Sequence, residues 1–217
     1  MELIKVNSLK NAALNAFLQV KKKSKINIAL TGGNFGMSFI DQVLLNRTDI
    51  NSWNIFFTDE RLTSAEIDLN SSCLCNKLRE AVNFQESNVF AFNHRNSDDS
   101  YSDVSRALSF NNIEKFDITL LSLGEDGHLA GHFHNSSEAN DSRFCYTDDS
   151  PKPPKKRISF NVNWLYRSSK IILAVIGENK SQAFEDLMMG VGLHSDIIDL
   201  NNLILITDLD ISQKYKE

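Results

Sequence analysis

Residues Ile26 to Thr31 form a short apolar run that stops at Gly32-Gly33, and Ser38 to Leu45 then recur with helical spacing. A run of that length closed by glycines predicts a strand, a tight turn and a helix. The same alternation returns along the chain. Ser8 stands as an N-cap before Leu9, Ala12, Ala13, Ala16, Phe17 and Val20, which share one face of an amphipathic helix. Trp53 to Thr58 reads as a strand and Ser71 to Val82 as a helix, and Val89 to Phe92, Ser102 to Leu108 and Phe116 to Leu123 continue the pattern. Ile158 to Val162, Ile171 to Ile176, Lys180 to Met189 and Leu203 to Thr207 add strand, strand, helix and strand. Such alternation predicts an α/β fold: a mainly parallel central sheet with helices on both faces. The polar segment Asn135 to Pro154, which holds all three prolines, reads as an excursion over the surface. At 217 residues, with no internal repeat, residues 1–217 are expected to form a single domain.

A net charge of −5 leaves no overall positive field for nucleic acid or an anionic membrane, so an anionic ligand must be held by local cations. The lysines at 21, 22, 23 and 25 lack interleaved aromatics and do not change that expectation. The N-terminal residues show no basic segment leading into an apolar run, and no stretch is long enough to span a bilayer, so a cytoplasmic protein is expected. Cys73, Cys75 and Cys145 lack zinc or redox spacing and read as reduced.

Ligands of parallel sheets bind outside the carboxyl ends of the strands, so the loops there hold the candidate residues. Thr31-Gly32-Gly33-Asn34-Phe35-Gly36 brings backbone N–H groups to the positive end of a helix, which suits a phosphate, although it is neither a P-loop nor a dinucleotide fingerprint. Asp59-Glu60-Arg61 offers a guanidinium fork and carboxylates that could orient it or tune a base. Leu123-Gly124-Glu125-Asp126-Gly127-His128 sets a histidine among glycines and acids; histidine titrates near neutrality, as a general base must, and Gly124 and Gly127 could turn free N–H groups toward an oxyanion. Arg157 and Lys180 stand beside further strands as possible anion contacts.

His128 and His132 are spaced as two metal ligands on one helix turn, with His134 nearby, so a metallohydrolase has to be weighed. Against it, no glutamate of the zinc-protease kind lies between them, and Gly131 and Asn135-Ser136-Ser137 disfavour a helix.

Taken in order, Thr31-Gly32-Gly33, Asp59-Glu60-Arg61, Phe116-Asp117 with Leu123-Gly124-x-Asp126-Gly127-His128, Pro154-x-x-Arg157-Ile158 and Gly177-x-x-Lys180 resemble the 6-phosphogluconolactonases over nearly the whole chain. The resemblance implies the fold shared by glucosamine-6-phosphate deaminases and, more distantly, ribose-5-phosphate isomerases. It implies hydrolysis of 6-phospho-D-glucono-1,5-lactone in the pentose phosphate pathway, without metal or organic cofactor. It makes His128 the base, and Asp126 or Asp59, the nearby acids, are the carboxylates expected to orient its imidazole. Gly32, Gly33, Asn34, Arg61, Gly127, Arg157 and Lys180 become contacts for the substrate's phosphate and hydroxyls. The expected partner is therefore a small phosphorylated sugar lactone, bound by a monomer or small homo-oligomer, with no nucleic acid and no membrane. Two segments depart from the family: Asn34-Phe35-Gly36 where Ser-Thr-Pro is usual, and Ala130-Gly131-His132-Phe133-His134 where a sequence like Ala-Ser-Leu-Phe-Pro is usual. The rivals are an amino-sugar phosphate deaminase or isomerase, whose relatives carry Asp-Glu-Tyr in place of Asp59-Glu60-Arg61, and a non-catalytic sugar-phosphate sensor.

Overall fold

A computed structural model describes residues 1–21, 23, 25–95 and 99–210, so Lys22 of the lysine run lies outside the described residues. The central sheet has seven strands: β1 (Glu2–Lys5), β2 (Ile26–Leu30), β3 (Trp53–Phe57), β5 (Val89–Phe90), β6 (Ile118–Ser122), β10 (Ile171–Val175) and β11 (Leu203–Thr207). Their order is β1-β11-β10-β6-β2-β3-β5, and every neighbouring pair is parallel. Both faces are covered, which is why β10 (IILAV) and β11 (LILIT) are buried at every position.

Alternate strand residues serve different cores. Ile26, Ile28, Leu30, Ile172, Ala174, Ile204 and Ile206 pack with helices α1 (Leu9–Val20), α2 (Gly33–Leu45) and α3 (Asn70–Leu78). Ala29, Phe56, Leu121, Ile171, Leu173, Leu203 and Leu205 face the other side, toward α4 (Ser102–Phe110), α5 (Val162–Leu165) and α6 (Ser181–Met188). Ser8 caps α1 by accepting a hydrogen bond from the Asn11 backbone N–H, 3.3 Å.

The structure corrects several boundaries. Helix α2 begins at Gly33 rather than Ser38, so Asn34-Phe35-Gly36 is its first turn and not a loop. Phe35 is buried there, and a Cβ on Gly36 would lie 2.0 Å from the Thr31 carbonyl, so only glycine lets the turn fold back onto the strand end. Residues Glu2–Lys5, not expected as a strand, pair with β11 at the sheet edge; three of the four are exposed, which hides the apolar pattern.

The larger correction concerns the second half. Residues 135–154 are not merely a surface excursion, because they supply β7 (Ser137–Glu138) and β8 (Phe144–Thr147). With β4 (Asp59–Arg61) and β9 (Arg157–Phe160) they make a separate antiparallel sheet of order β4-β9-β8-β7. The run Ile158 to Val162 thus ends as a strand at Phe160 and belongs to this sheet rather than the parallel one. An aromatic cluster docks it: the Phe160 ring lies within 5.0–5.4 Å of Phe92, Phe116, Phe144 and Trp164.

Chain direction reverses once within the large sheet. From β2 the chain steps outward through β3 to β5, then returns to place β6 on the other side of β2 and moves on through β10 to β11. The connections after β2 and β6 diverge to opposite faces and leave a crevice between the carboxyl ends of those strands.

If Phe160 carries the docking of the small sheet, Phe160→Ala should destabilise the protein by about 3–5 kcal/mol, as deletion of a fully buried aromatic does. Urea unfolding should show the drop as a lower midpoint with a similar slope. A change within about 1 kcal/mol would show that the cluster can collapse around the void.

Candidate active site

A cleft of about 750 Å³ opens at this reversal and is lined by the segments that follow β2, β3, β6 and β10, joined by Pro151 to Pro153 and Arg157. Of the residues singled out in the sequence, His128, Asp126, Asp59, Gly32, Gly33, Asn34, Arg61, Arg157 and Lys180 all line it, and Gly127 does not. Gly127 instead holds a φ of +82° within the turn, a conformation that favours glycine.

The turn after β6 presents His128. The carbonyl of His128 accepts the Gly124 N–H at 2.9 Å and the carbonyl of Gly124 accepts the Gly127 N–H at 3.1 Å, closing the loop on itself. Both N–H groups expected to face an oxyanion are therefore spent inside the turn. Gly124 serves the site in a different way, by its size. A Cβ there would lie 2.2 Å from His128 Nδ1, so glycine makes room for the ring. His128 Nδ1 meets the Asp126 carboxylate in a short hydrogen bond, and the imidazole packs on Phe133 with centroids 4.4 Å apart. Burial works to raise the Asp126 pKa, but the hydrogen bond and charge of His128 outweigh it and hold the carboxyl below its usual range. An ionised carboxylate can only accept, so Nδ1 carries the proton, and in the neutral form of the ring it is Nε2 that holds the lone pair.

Asp59 does not orient the histidine. Its carboxylate accepts from Thr58 Oγ1 at 3.0 Å and from Asn70 Nδ2 at 3.1 Å. Glu60, fully buried, accepts the backbone N–H groups of Arg61, Asn70 and Ser71 at 2.7–2.8 Å, so it anchors the N-terminus of α3 rather than tuning a base. Burial pushes its pKa up against those hydrogen bonds.

Cations converge on the same space. Arg61 and Arg157 sit directly opposite each other in the β4–β9 ladder, an arrangement of like charges that costs energy unless an anion lies near. Arg157 spends donors on Ser150 Oγ at 3.3 Å and the Lys152 carbonyl at 3.1 Å, and burial pushes its pKa down. Arg61 donates Nη1 to the Asp68 carbonyl, while its buried Nε has no partner among the described residues. Lys180 donates to Ser122 Oγ at 2.9 Å, and burial likewise lowers its pKa. On the same lining, α2 starts at Gly33 behind the N-cap Gly32 with no side-chain cap, so its first N–H groups remain available to an anion.

The histidine cluster is divided. His132 does not share a helix turn with His128; it lines a second cavity of about 330 Å³ with His194, the two rings 5.1 Å apart. His134 is exposed. Among the described residues, no group of three or more His, Cys, Asp or Glu is arranged to hold a metal ion. Sequence reasoning passed over Ser150, Lys152 and His194 and gave no role to Asn70 or to Ser122, the last residue of β6, just before the candidate loop of His128. Asn70 had a signal in Asn70-Ser71, which loosely matches the Ser-Asn that the resembling family carries after its arginine loop.

A family model described as glucosamine-6-phosphate isomerases/6-phosphogluconolactonase matches residues 6–196. A probable 6-phosphogluconolactonase 2 of Oryza sativa subsp. indica is 31% identical over 186 residues, covering 76% of this chain and 66% of that protein's length. The chain resembles the crystal structure of 6-phosphogluconolactonase from Thermotoga maritima, with a TM-score of 0.79 and 17% identity over 94% of this chain and 96% of the other. It resembles a monomeric glucosamine-6-phosphate deaminase almost as well, with a TM-score of 0.77 and 17% identity over 95% and 97%. At such identities the structures establish the shared fold.

The buried histidines make stability depend on pH. Burial pushes His194 down to about 4 and lowers His132 as well, so both stay neutral in the folded protein below the pH at which unfolded histidine, near ~6.5, takes a proton. The unfolded state then binds more protons, and stability falls as pH drops from about 6.5 toward about 4. Urea midpoints at pH 7, 5.5 and 4.5 should decline in wild type and decline less in His194→Gln. Parallel declines would show that His194 is not held neutral.

Proposed function

Because this chain belongs to the glucosamine-6-phosphate isomerase/6-phosphogluconolactonase family, we propose that it hydrolyses 6-phospho-D-glucono-1,5-lactone to 6-phosphogluconate in the oxidative pentose phosphate pathway. The single observation that carries the lactonase reading is the His128–Asp126 pair in a cleft also lined by Arg61 and Arg157, which are paired across the β4–β9 ladder. One cleft thus brings a base and cations to the same ligand. Residues 1–217 act as one catalytic domain in this proposal, in the cytoplasm, with no nucleic-acid or membrane partner. No helix of the described residues is long and apolar enough to cross a membrane.

A lactone carbonyl is electrophilic and its ring oxygen is an adequate leaving group, so a positioned water, a base and an electrostatic frame suffice without metal or cofactor. Nε2 of neutral His128 takes a proton from the attacking water as oxygen bonds to the carbonyl carbon. The ionised Asp126 stabilises the imidazolium that results. The tetrahedral intermediate collapses with cleavage of the bond to the ring oxygen, which receives the proton from His128. Since the N–H groups of Gly124 and Gly127 are engaged within their turn, the developing oxyanion is assigned to the uncapped start of α2 at Gly32, Gly33 and Asn34. Arg61 and Lys180 hold the phosphate, and Arg157 completes the positive field while fixing the segment beside it.

Turnover of freshly prepared 6-phosphogluconolactone above its spontaneous hydrolysis tests the proposal directly. Ammonia release from glucosamine 6-phosphate, or tight sugar-phosphate binding without turnover, would replace it with a deaminase or a sensor. His128→Asn should reduce the catalysed rate by about 10²–10⁴-fold, the usual worth of a general base, while 6-phosphogluconate still binds. A rate within a few fold of wild type would remove His128 from the chemistry. Arg61→Ala should raise KM for the phosphorylated lactone by about 10-fold or more and leave unphosphorylated gluconolactone nearly unaffected. Equal losses on both would place Arg61 at the carbonyl or in the scaffold.

A further inference from the structure

The segment Ser150 to Lys155 contributes Pro151, Lys152 and Pro153 to the lining of the cleft, and hydrogen bonds fix its backbone. Ser150 Oγ donates to the carbonyls of Lys152 and Pro154, at 2.9 and 3.1 Å, and its N–H donates to the Lys155 carbonyl at 3.0 Å. Arg157 Nη2 reaches the same Lys152 carbonyl at 3.1 Å. The backbone of Lys152 is thus pinned while its side chain, 72% exposed, projects from the cleft lining to Glu125 Oε1 at 3.1 Å. Glu125 Oε1 also accepts from Asn179 Nδ2 at 2.8 Å. Its carboxyl is held below the usual range first by the Lys152 hydrogen bond, then by Asn179, with the charge of Lys180 adding to them. Lys152 is thus the ion-pair partner of Glu125 while Lys180, bonded to Ser122 Oγ, adds only its charge, and with so much exposure the Lys152–Glu125 pair is easily exchanged.

We propose that Lys152 is a specificity-determining residue for phosphorylated substrates, with Glu125 as the placeholder anion it exchanges for the substrate's phosphate. The inference rests on the sugar-phosphate hydrolase reading above. A carboxylate with one charge, held at the surface, is a weaker partner than a phosphate near two negative charges that accepts from several donors at once. On entry the phosphate takes the place of Glu125 beside Lys152, with the charge of Lys180 adding to the attraction, and Asn179 keeps the released carboxylate beside the cleft. No covalent step is involved.

The test is calorimetric binding of 6-phosphogluconate and of gluconate, which needs no turnover, alongside KM and kcat on the two lactones. Lys152→Met should weaken 6-phosphogluconate by about 10-fold, as expected for loss of one charged hydrogen bond, and leave gluconate unchanged. Its KM should rise with kcat nearly constant. Glu125→Gln, which keeps the shape and the Asn179 contact, should act in the opposite sense and tighten 6-phosphogluconate about 3-fold, the scale of an exposed ion pair. That gain should vanish in the Lys152→Met background, because the two residues then have no exchange to make. Lys155→Ala, whose ammonium pairs with Asp149 at 2.7 Å, is the control for loss of a lysine from the same segment and should change neither ligand. Equal weakening of both ligands by Lys152→Met, no weakening at all, or an undiminished gain from Glu125→Gln in the double variant would overturn the inference while the lactonase reading stands. Wild-type protein that binds 6-phosphogluconate no better than gluconate would overturn both.

Discussion

Burial of both faces of the parallel sheet is the constraint from which the site follows. Strands such as β10 and β11 are enclosed at every position, so no polar side chain on them can reach solvent or substrate except at their ends. Parallel strands also send all their carboxyl ends to one edge, and the reversal between β2 and β6 keeps the crossover connections from filling the gap there. Chemistry is thereby confined to a few loop residues, each immediately after a strand whose position the core has already fixed. The precision of the site is inherited from apolar packing.

The small antiparallel sheet supplies what the large one cannot. A parallel sheet offers one loop per strand end, but β4 leaves directly from β3 and pairs with β9, carrying two arginines to opposed positions over the cleft. That arrangement is costly in the empty protein, since both side chains are at least partly buried and burial disfavours the charge of Arg157. Buried acids moderate the cost: Asp59 and Glu60 stand on the same strand, and Asp59 is clamped by Asn70 from the start of α3. Glu60 in turn binds that helix end, so the cationic wall, its compensating carboxylates and α3 form one linked structure. An incoming anion would relieve repulsion that the fold has built in, which turns strain in the free protein into affinity.

Much of this was legible in the sequence where the signal was local. The core strands and α1 show as apolar runs and helical periodicity with a capping serine, and the loops after strands show as glycines beside charged residues. The misses have a common cause. Strands β7 and β8 are short and lie among polar residues, so their pairing depends on partners distant in sequence, and edge strand β1 is mostly exposed and lacks a clean pattern. The same holds in the cleft: the sequence supplied a histidine with two possible carboxylate partners, and only the turn geometry selects Asp126 over Asp59. The glycines at 124 and 127 were singled out as donors to an oxyanion, but their backbone N–H groups close the turn instead.

The division of the histidines shows how far spacing alone can be trusted. Residues four apart share a face only if the segment between them is helical, and here Ala130 takes a φ of +53° while bridges join Leu123 to Leu129 and Leu129 to His132. The chain therefore folds back between the two histidines, sending one imidazole into the cleft and the other into a separate cavity against His194. Gly131 enables the reversal, since a Cβ there would come within 3.0–3.1 Å of Ser159 and Asp59 where the segment crosses the small sheet. The feature that looked least like a helix in the sequence, a glycine between the candidate ligands, is thus the one that separates them. His132 is left to pack with His194, whose Nε2 lies 3.2 Å from the His132 carbonyl and must donate to it. That bond ties the segment following the proposed base to the start of the short helical turn Ser195–Asp199 and steadies it from beneath.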